Sequence, residues 1–498
     1  MAFAMLLDPM RHALLLAALC CACGTQDPRV PRPADPERSA LERTASAPVS
    51  APSSSAQNPA LVARARELFE LALSEGRAHA MLQELCALAP HRLSGSPGAE
   101  RAVEWGIATM RAIGLANVRT EPIMVPHWVR GNVCEVRVIL PGMEEQLDAI
   151  ALGGSVATPE AGVTTEVVMV RSFEQLRALG SAAAGKIAFF NRPMPRALAN
   201  TFQAYGATVD QRGSGAVEAG KVGAVGALVR SMTTAIDAFP HTGGMHYDDA
   251  VPKVPAIALS TKSAERLREL LEVRPSLTVR IRCNCETLAD VASANVVGEI
   301  VGSSAPKEIV LVGGHLDAWD VGQGAHDDGA GIAHTLEAAR LLLTLGFRPA
   351  RTIRFILFMN EENGLRGAKG YVEAHQAELS KHVAAIESDR GGFLPLGFTT
   401  SFQGADLDEL RHSLAPLAEW SMSSLVAGNG GADIGVLAPH GVAMFEILIA
   451  PQRYFDHHHC AKDVIESVNE RELALGAAGL AYLTAHLATR TAQRASQR

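Results

Sequence analysis

The chain has 498 residues, 48% of them apolar and 20% charged, which is the balance of a packed globular protein and excludes a disordered or fibrous one. A net charge of −8 with no long Lys/Arg run argues against nucleic acid as a partner. Of eight cysteines, Cys86, Cys134, Cys283, Cys285 and Cys460 are scattered without paired spacing, so a disulfide scaffold is not the basis of the fold.

In chain order, Arg11 and His12 precede an apolar run from Ala13 to Leu19, followed by Cys20, Cys21 and Cys23. This reads as a signal peptide over residues 1–23, far short of the ~20 apolar residues a spanning helix needs. The cysteines after the run resemble a bacterial lipoprotein signal. The expectation is export, either as a periplasmic or cell-envelope lipoprotein or as a secreted protein, with membrane contact only through the lipid. Residues 24–58, rich in Pro, Ser and Ala, read as a flexible tether.

From Ala60 the pattern turns helical, with Leu61, Ala65, Leu68 and Ala72 at helical spacing. A second helix is expected over Gly98–Ile113 and a strand over Val118–Val125. Residues 135–285 differ: short apolar strands alternate with Gly-rich turns, and no catalytic constellation stands out. From about Ala294 the chain becomes α/β. Strands are expected at Ile309–Val312, Thr352–Met359, Val383–Ile386 and Val442–Ile449, with a helix over Gly331–Leu345. Such alternation predicts a mainly parallel central sheet with helices on both faces.

The informative residues follow these strands: Gly313-Gly-His-Leu-Asp317, Asn360-Glu-Glu362, Glu387-Ser-Asp389 and Asp456-His-His-His459. Ligand crevices in open α/β sheets lie beyond the carboxyl ends of the strands. Acids and imidazoles converging there repel or neutralise one another unless a cation sits among them, and a mixed set of this kind suits zinc. Each piece alone is weak. Two adjacent glutamates are usually a solvated loop, and Asp327-Asp328 before Gly329 is a common way to cap a helix. Their joint occurrence is the signal. No Gly-x-Ser-x-Gly elbow or Walker loop competes with it.

The run Gly314-His-Leu-Asp-Ala-Trp-Asp-Val-Gly-Gln-Gly-Ala-His-Asp-Asp-Gly-Ala-Gly331, with Asn360-Glu-Glu-Asn-Gly364, Glu387-Ser-Asp389 and His459-x-x-x-Asp463, resembles the plasma glutamate carboxypeptidase (carboxypeptidase Q) family of di-zinc metallopeptidases. Arg92-Leu-Ser-Gly-Ser96, Pro126-His-Trp128 and Pro240-His-Thr-Gly243 extend the resemblance to about residues 60–490. It implies a catalytic domain of the zinc exopeptidase type over 59–134 and 290–490, interrupted by a β-rich protease-associated domain over 135–285. It further implies two zinc ions, with Asp327 bridging, His315 and Asp389 completing one site, and Glu362 and His459 the other. Asp317 is implied to hold the His315 ring, Asp463 to support the site, and Glu361 to act as general base. At position 464 the family often has Thr, and Val464 here departs from that.

The implied activity is hydrolysis of short peptides or dipeptides through a metal-bridging hydroxide, without a covalent intermediate. An aminopeptidase of the same fold is the neighbouring reading. A single-zinc glutaminyl cyclase and a non-catalytic receptor are more distant ones, since His315, Asp389 and Glu361 are all present. Short peptides are the expected partners, and a homodimer is left open.

Overall fold

The computed structural model describes residues 59–490, so the expected signal peptide and tether lie outside the described residues. Sixteen strands form two eight-stranded sheets. After β1 (Ala116–Val129) the chain leaves the first sheet and builds the second. That second sheet comprises β2 (Cys134–Leu140), β3 (Met143–Leu147), β4 (Ala149–Ala151), β5 (Val163–Val170), β6 (Ile187–Phe190), β7 (Gly226–Arg230), β8 (Ala256–Leu259) and β9 (Thr278–Cys283). The chain then returns through β10 (Glu286–Ile300), β11 (Ala305–His315), β12 (Arg351–Phe358), β13 (His382–Glu387), β14 (Pro395–Thr400), β15 (Ser424–Ala427) and β16 (Ala443–Ile449).

The first sheet runs β1-β10-β12-β11-β13-β16-β14-β15. Its centre, β12-β11-β13-β16, is parallel throughout. The long β1–β10 ribbon pairs antiparallel at one side, and β14 pairs antiparallel to β16 at the other. The central strands are buried along nearly their whole length, as strands covered on both faces must be. Their side chains alternate between two cores. Val310, Val312, Phe355, Leu357 and Ile386 join one cluster, while Leu311, Ile356, Phe358 and Ala385 join the other. Helices Ala330–Thr344 and Glu470–Thr489 close the first face, and Arg366–Ala374 closes the second.

Helix Ala330–Thr344 lies where a helix over Gly331–Leu345 was expected. It is buried almost all round, because Glu470–Thr489 and Ala78–Leu88 also pack on it. Helix Pro97–Ile113 starts with Ser96 accepting from the Ala99 amide at 3.2 Å and stops at Gly114 in a left-handed turn.

The second sheet also has a parallel centre, β5-β6-β7-β8, flanked by antiparallel β4 at one end and the β9-β2-β3 meander at the other.

Candidate metal centre

The carboxyl ends of the parallel strands converge on one cage. His315 is the last residue of β11, Glu361 and Glu362 follow β12, and Asp389 follows β13. The turns after β16 bring in His458 and His459, and Asp327 precedes helix Ala330–Thr344. The Nε2 of His315 lies 3.2 Å from Asp327 and 3.4 Å from Asp389. The Nε2 of His459 lies 3.2 Å from Asp327 and 3.1 Å from Glu362. Asp327 thus stands between two clusters, His315-Asp327-Asp389 and Asp327-His458-His459, each with its ligand atoms within 4.8 Å of one another.

Three observations fit a cation here. Buried Asp327 Oδ2, Glu362 Oε1 and Asp389 Oδ1 have no hydrogen-bond partner. Like charges crowd together: burial raises the Glu362 carboxyl to about 7, with Asp327 adding to the rise. Burial likewise lifts Glu361 well above the usual range, and Asp389 and Glu362 reinforce it. Burial opposes a charge on His315, yet Asp389 and Asp327 outweigh it and hold that imidazole well above its ordinary pKa. Without a cation, protons are left to neutralise the cage.

Asp317 holds the His315 ring through its backbone: Nδ1 faces the Asp317 carbonyl at 3.0 Å, while the carboxylate is 3.8 Å away. That carboxylate instead accepts from the amides of Asn360 at 2.7 Å and Glu361 at 3.0 Å, fixing the turn that carries both glutamates. Asp463 accepts from the amides of His326 at 2.6 Å and Asp327 at 3.1 Å, so it locks Asp327 through backbone, independent of the residue at 464. Asp328 caps the following helix, accepting from the Gly331 amide, and also accepts from the His315 amide. The two adjacent aspartates therefore divide: Asp328 caps and Asp327 faces the cage. Buried Arg92 donates to the carbonyls of Leu316, Gln323 and Gly324, tying down the loop before Asp327.

Of the three consecutive histidines, His457 turns away, with Nδ1 on the Lys462 carbonyl. His458 and His459 both face Asp327, their rings stacked 3.5 Å apart. His459 has φ 63°, a left-handed backbone that costs roughly 1–2 kcal/mol for a side-chain-bearing residue. The second-sheet segment holds that backbone: the Thr242 amide donates to the His459 carbonyl at 2.9 Å, and His241 Nδ1 meets the His458 carbonyl at 2.7 Å.

The second-sheet segment also walls the cleft, a cavity of about 390 Å³ lined by Tyr205, Arg212 and His246 on one side and the cage on the other. Neither acid–imidazole cluster includes a residue of 135–285. Arg212 is 8% exposed and meets no carboxylate among the described residues. One guanidinium nitrogen bonds the Tyr205 hydroxyl at 2.7 Å, another faces His459 Nδ1 at 3.3 Å, and Nε has no partner. Gly243, at φ 132°, lies against this contact, and a Cβ there would strike both Arg212 and His459. Sequence reasoning missed His458 and Arg212. His458 is hidden in a run of three identical residues, and nothing in spacing marks Arg212.

Comparison with known proteins specifies the class of protein that this fold and cage belong to. Residues 295–484 match the model of Peptidase family M28. Carboxypeptidase Q of Bos taurus is 36% identical over 410 residues, covering 81% of this chain and 84% of that protein. The human protein of the same name is 36% identical over 420 residues, covering 83% and 86%. A solved structure described as a Peptidase M28 precursor from Shewanella amazonensis SB2B superposes with TM-score 0.83 at 33% identity, covering 87% of this chain and 98% of that one. BSAP, a zinc aminopeptidase from Bacillus subtilis, shares the fold, with TM-score 0.61 at 19% identity, covering 84% and 97%. The chain belongs to the carboxypeptidase Q family within peptidase family M28, and it is a peptidase.

Proposed function

We propose that this peptidase is a zinc-dependent exopeptidase cutting short peptides or dipeptides that carry a free carboxyl end. The observation that carries it is the cage sharing Asp327 between two clusters, with Arg212, which meets no carboxylate among the described residues, beside it. His315, Asp327 and Asp389 would hold one zinc, and Asp327, Glu362 and His459 the other. When bound, zinc supplies a Lewis acid for the peptide carbonyl and acidifies water. Glu361 takes the water's proton and hands it to the leaving amine. Its neighbour Glu362 faces His459, which leaves Glu361 for this task. Arg212 binds the substrate's terminal carboxylate, since a buried guanidinium with no acidic partner suits an anion. That favours a carboxypeptidase over an aminopeptidase.

The leader supports export to the cell envelope, and among the described residues no helix is long and apolar enough to cross a membrane. The test is a panel of dipeptides, free, N-acetylated or C-amidated, followed by mass spectrometry with zinc counted per chain. Two zincs and loss of cleavage on amidation are expected. Cleavage that survives amidation but not acetylation would make it an aminopeptidase.

A further inference from the structure

The chain passes between its sheets twice, at residues 130–133 and 284–285, and cysteines flank both crossings. Cys134 opens β2, Cys283 ends β9, and the two are directly opposed in the antiparallel register. Backbone bonding shows which kind of pair they make. The Cys283 amide donates to Thr158 Oγ1 at 3.2 Å, and the Cys283 carbonyl accepts from the Thr158 amide at 3.0 Å, on the side away from β2. The next residue, Asn284, turns its amide to the Val133 carbonyl at 3.3 Å. Cys134 and Cys283 are therefore a non-hydrogen-bonded pair, the close kind, with Cα atoms about 4.5 Å apart. That lies within the span of roughly 4.4–6.8 Å that a disulfide bridges.

Cys285 is the third thiol. Its hydrogen bond with Cys283 holds the Cys283 thiol below its ordinary pKa, whereas burial pushes Cys134 up to about 12. Two positions apart on extended chain, Cys283 and Cys285 have Cα atoms about 6.6 Å apart, at the far end of that span.

We propose that Cys134 and Cys283 form a disulfide that staples the two crossings together, leaving Cys285 as a free thiol beside it. The proposal rests on the reading of residues 1–23 as an export signal, because disulfides persist in oxidising compartments. The oxidant is the disulfide of a cell-envelope thiol–disulfide oxidoreductase, acting during folding. The Cys283 thiolate attacks one oxidant sulfur, forming a mixed disulfide and expelling the other as thiolate. The Cys134 thiolate then attacks Cys283 Sγ and releases the oxidant. Two electrons pass to the oxidant, whose dithiol takes up the two thiol protons. The bond encloses residues 135–282, a loop long enough for cross-linking to restrict the unfolded chain strongly.

The test alkylates free thiols and maps non-reduced peptides from two preparations of the full chain. One is exported with its own leader, its location checked by fractionation. The other is made in a reducing cytosol and refolded with oxidised glutathione. A Cys134–Cys283 link with Cys285 alkylated is expected in both. Cys285→Ser should keep the link, Cys134→Ser should abolish it, and reductant should lower the Tm of the linked chain. Alkylated Cys134 and Cys283 in envelope material, or a Cys283–Cys285 link, would overturn the proposal. If the chain never leaves the cytosol, the export reading fails, and the glutathione arm alone decides whether the pair can close.

Discussion

The two sheets are built alike at their centres and differ at their ends. Each has eight strands and a run of four parallel ones. In the first sheet the residues at and after the parallel strand ends are His315, Glu361, Glu362 and Asp389. In the second they are Arg171, Asn191, Ser231 and Ser260. The same backbone arrangement thus occurs in both, and among the described residues only the first carries a cage. The chemistry belongs to the residues placed on the fold and not to the fold itself. The second sheet takes part at one remove, through Thr242 and His241 on the backbone of His458 and His459 and through Arg212 in the cleft.

The largest effect that would sharpen this contrast comes from the two adjacent glutamates. Glu361→Gln removes a base and no proposed ligand, so two zincs should remain while turnover falls on the order of 10²–10⁴. Glu362→Gln should instead lose zinc from one site and recover partly when zinc is added, because an amide is a poorer zinc ligand than a carboxylate. Metal content, with rates at saturating zinc, separates the two. If Glu361→Gln lost metal and Glu362→Gln kept both ions, the roles would have to be exchanged.

A smaller effect tests whether the second sheet reads the substrate. Arg212→Ala should lower kcat/KM for free dipeptides by about 10- to 100-fold, the worth of a hydrogen bond to a charged group at about 1.5–3 kcal/mol. On the residual cleavage of C-amidated peptides the same substitution should change little. An equal loss on both would make Arg212 a support for His459 and not a carboxylate reader.

His241→Ala asks whether the second sheet's grip on the cage is itself a metal contact. Among the described residues the His241 ring hydrogen-bonds only the His458 carbonyl, so both zincs should stay. Their release, read as zinc per chain after gel filtration, would bring the second sheet into the metal site.

How far the sequence could carry this depends on distance along the chain. The parallel centre was legible because Ile309–Val312 and Phe355–Met359 are continuous apolar runs, as strands buried on both faces carry. The cage was legible because strand ends converge by topology, so acids or imidazoles at four strand ends and a fifth at a helix start imply one place. The role of Asp317 was legible only as nearness to His315. That it acts on the ring by carbonyl and on Glu361 by carboxylate depends on the turn geometry at Asn360. Arg212, and the opposition of Cys134 to Cys283, are long-range packing outcomes. No local period records them, and the cysteines that looked scattered are register partners.

The two sheets also differ in buried charge, with the smallest effect per residue. The first-sheet side buries His334 and His382 and half-buries His486, each held down to about 4 chiefly by burial, whereas the described second-sheet segment has one such residue, His241. An unfolded histidine binds a proton below about 6.5. Between pH 6.5 and 4 the unfolded chain therefore holds protons that the folded chain does not, and stability falls as pH falls through that window. Each histidine should contribute a slope of about 1.4 kcal/mol per pH unit. His334→Asn leaves a polar atom near Ser388, which the ring meets at 2.9 Å, and removes the titration. Urea midpoints in chelator at pH 7, 6 and 5 should fall less steeply for that variant than for the parent chain. Parallel lines for the two proteins would mean that His334 already carries its proton in the folded state, and that the acid sensitivity of the first-sheet side lies elsewhere.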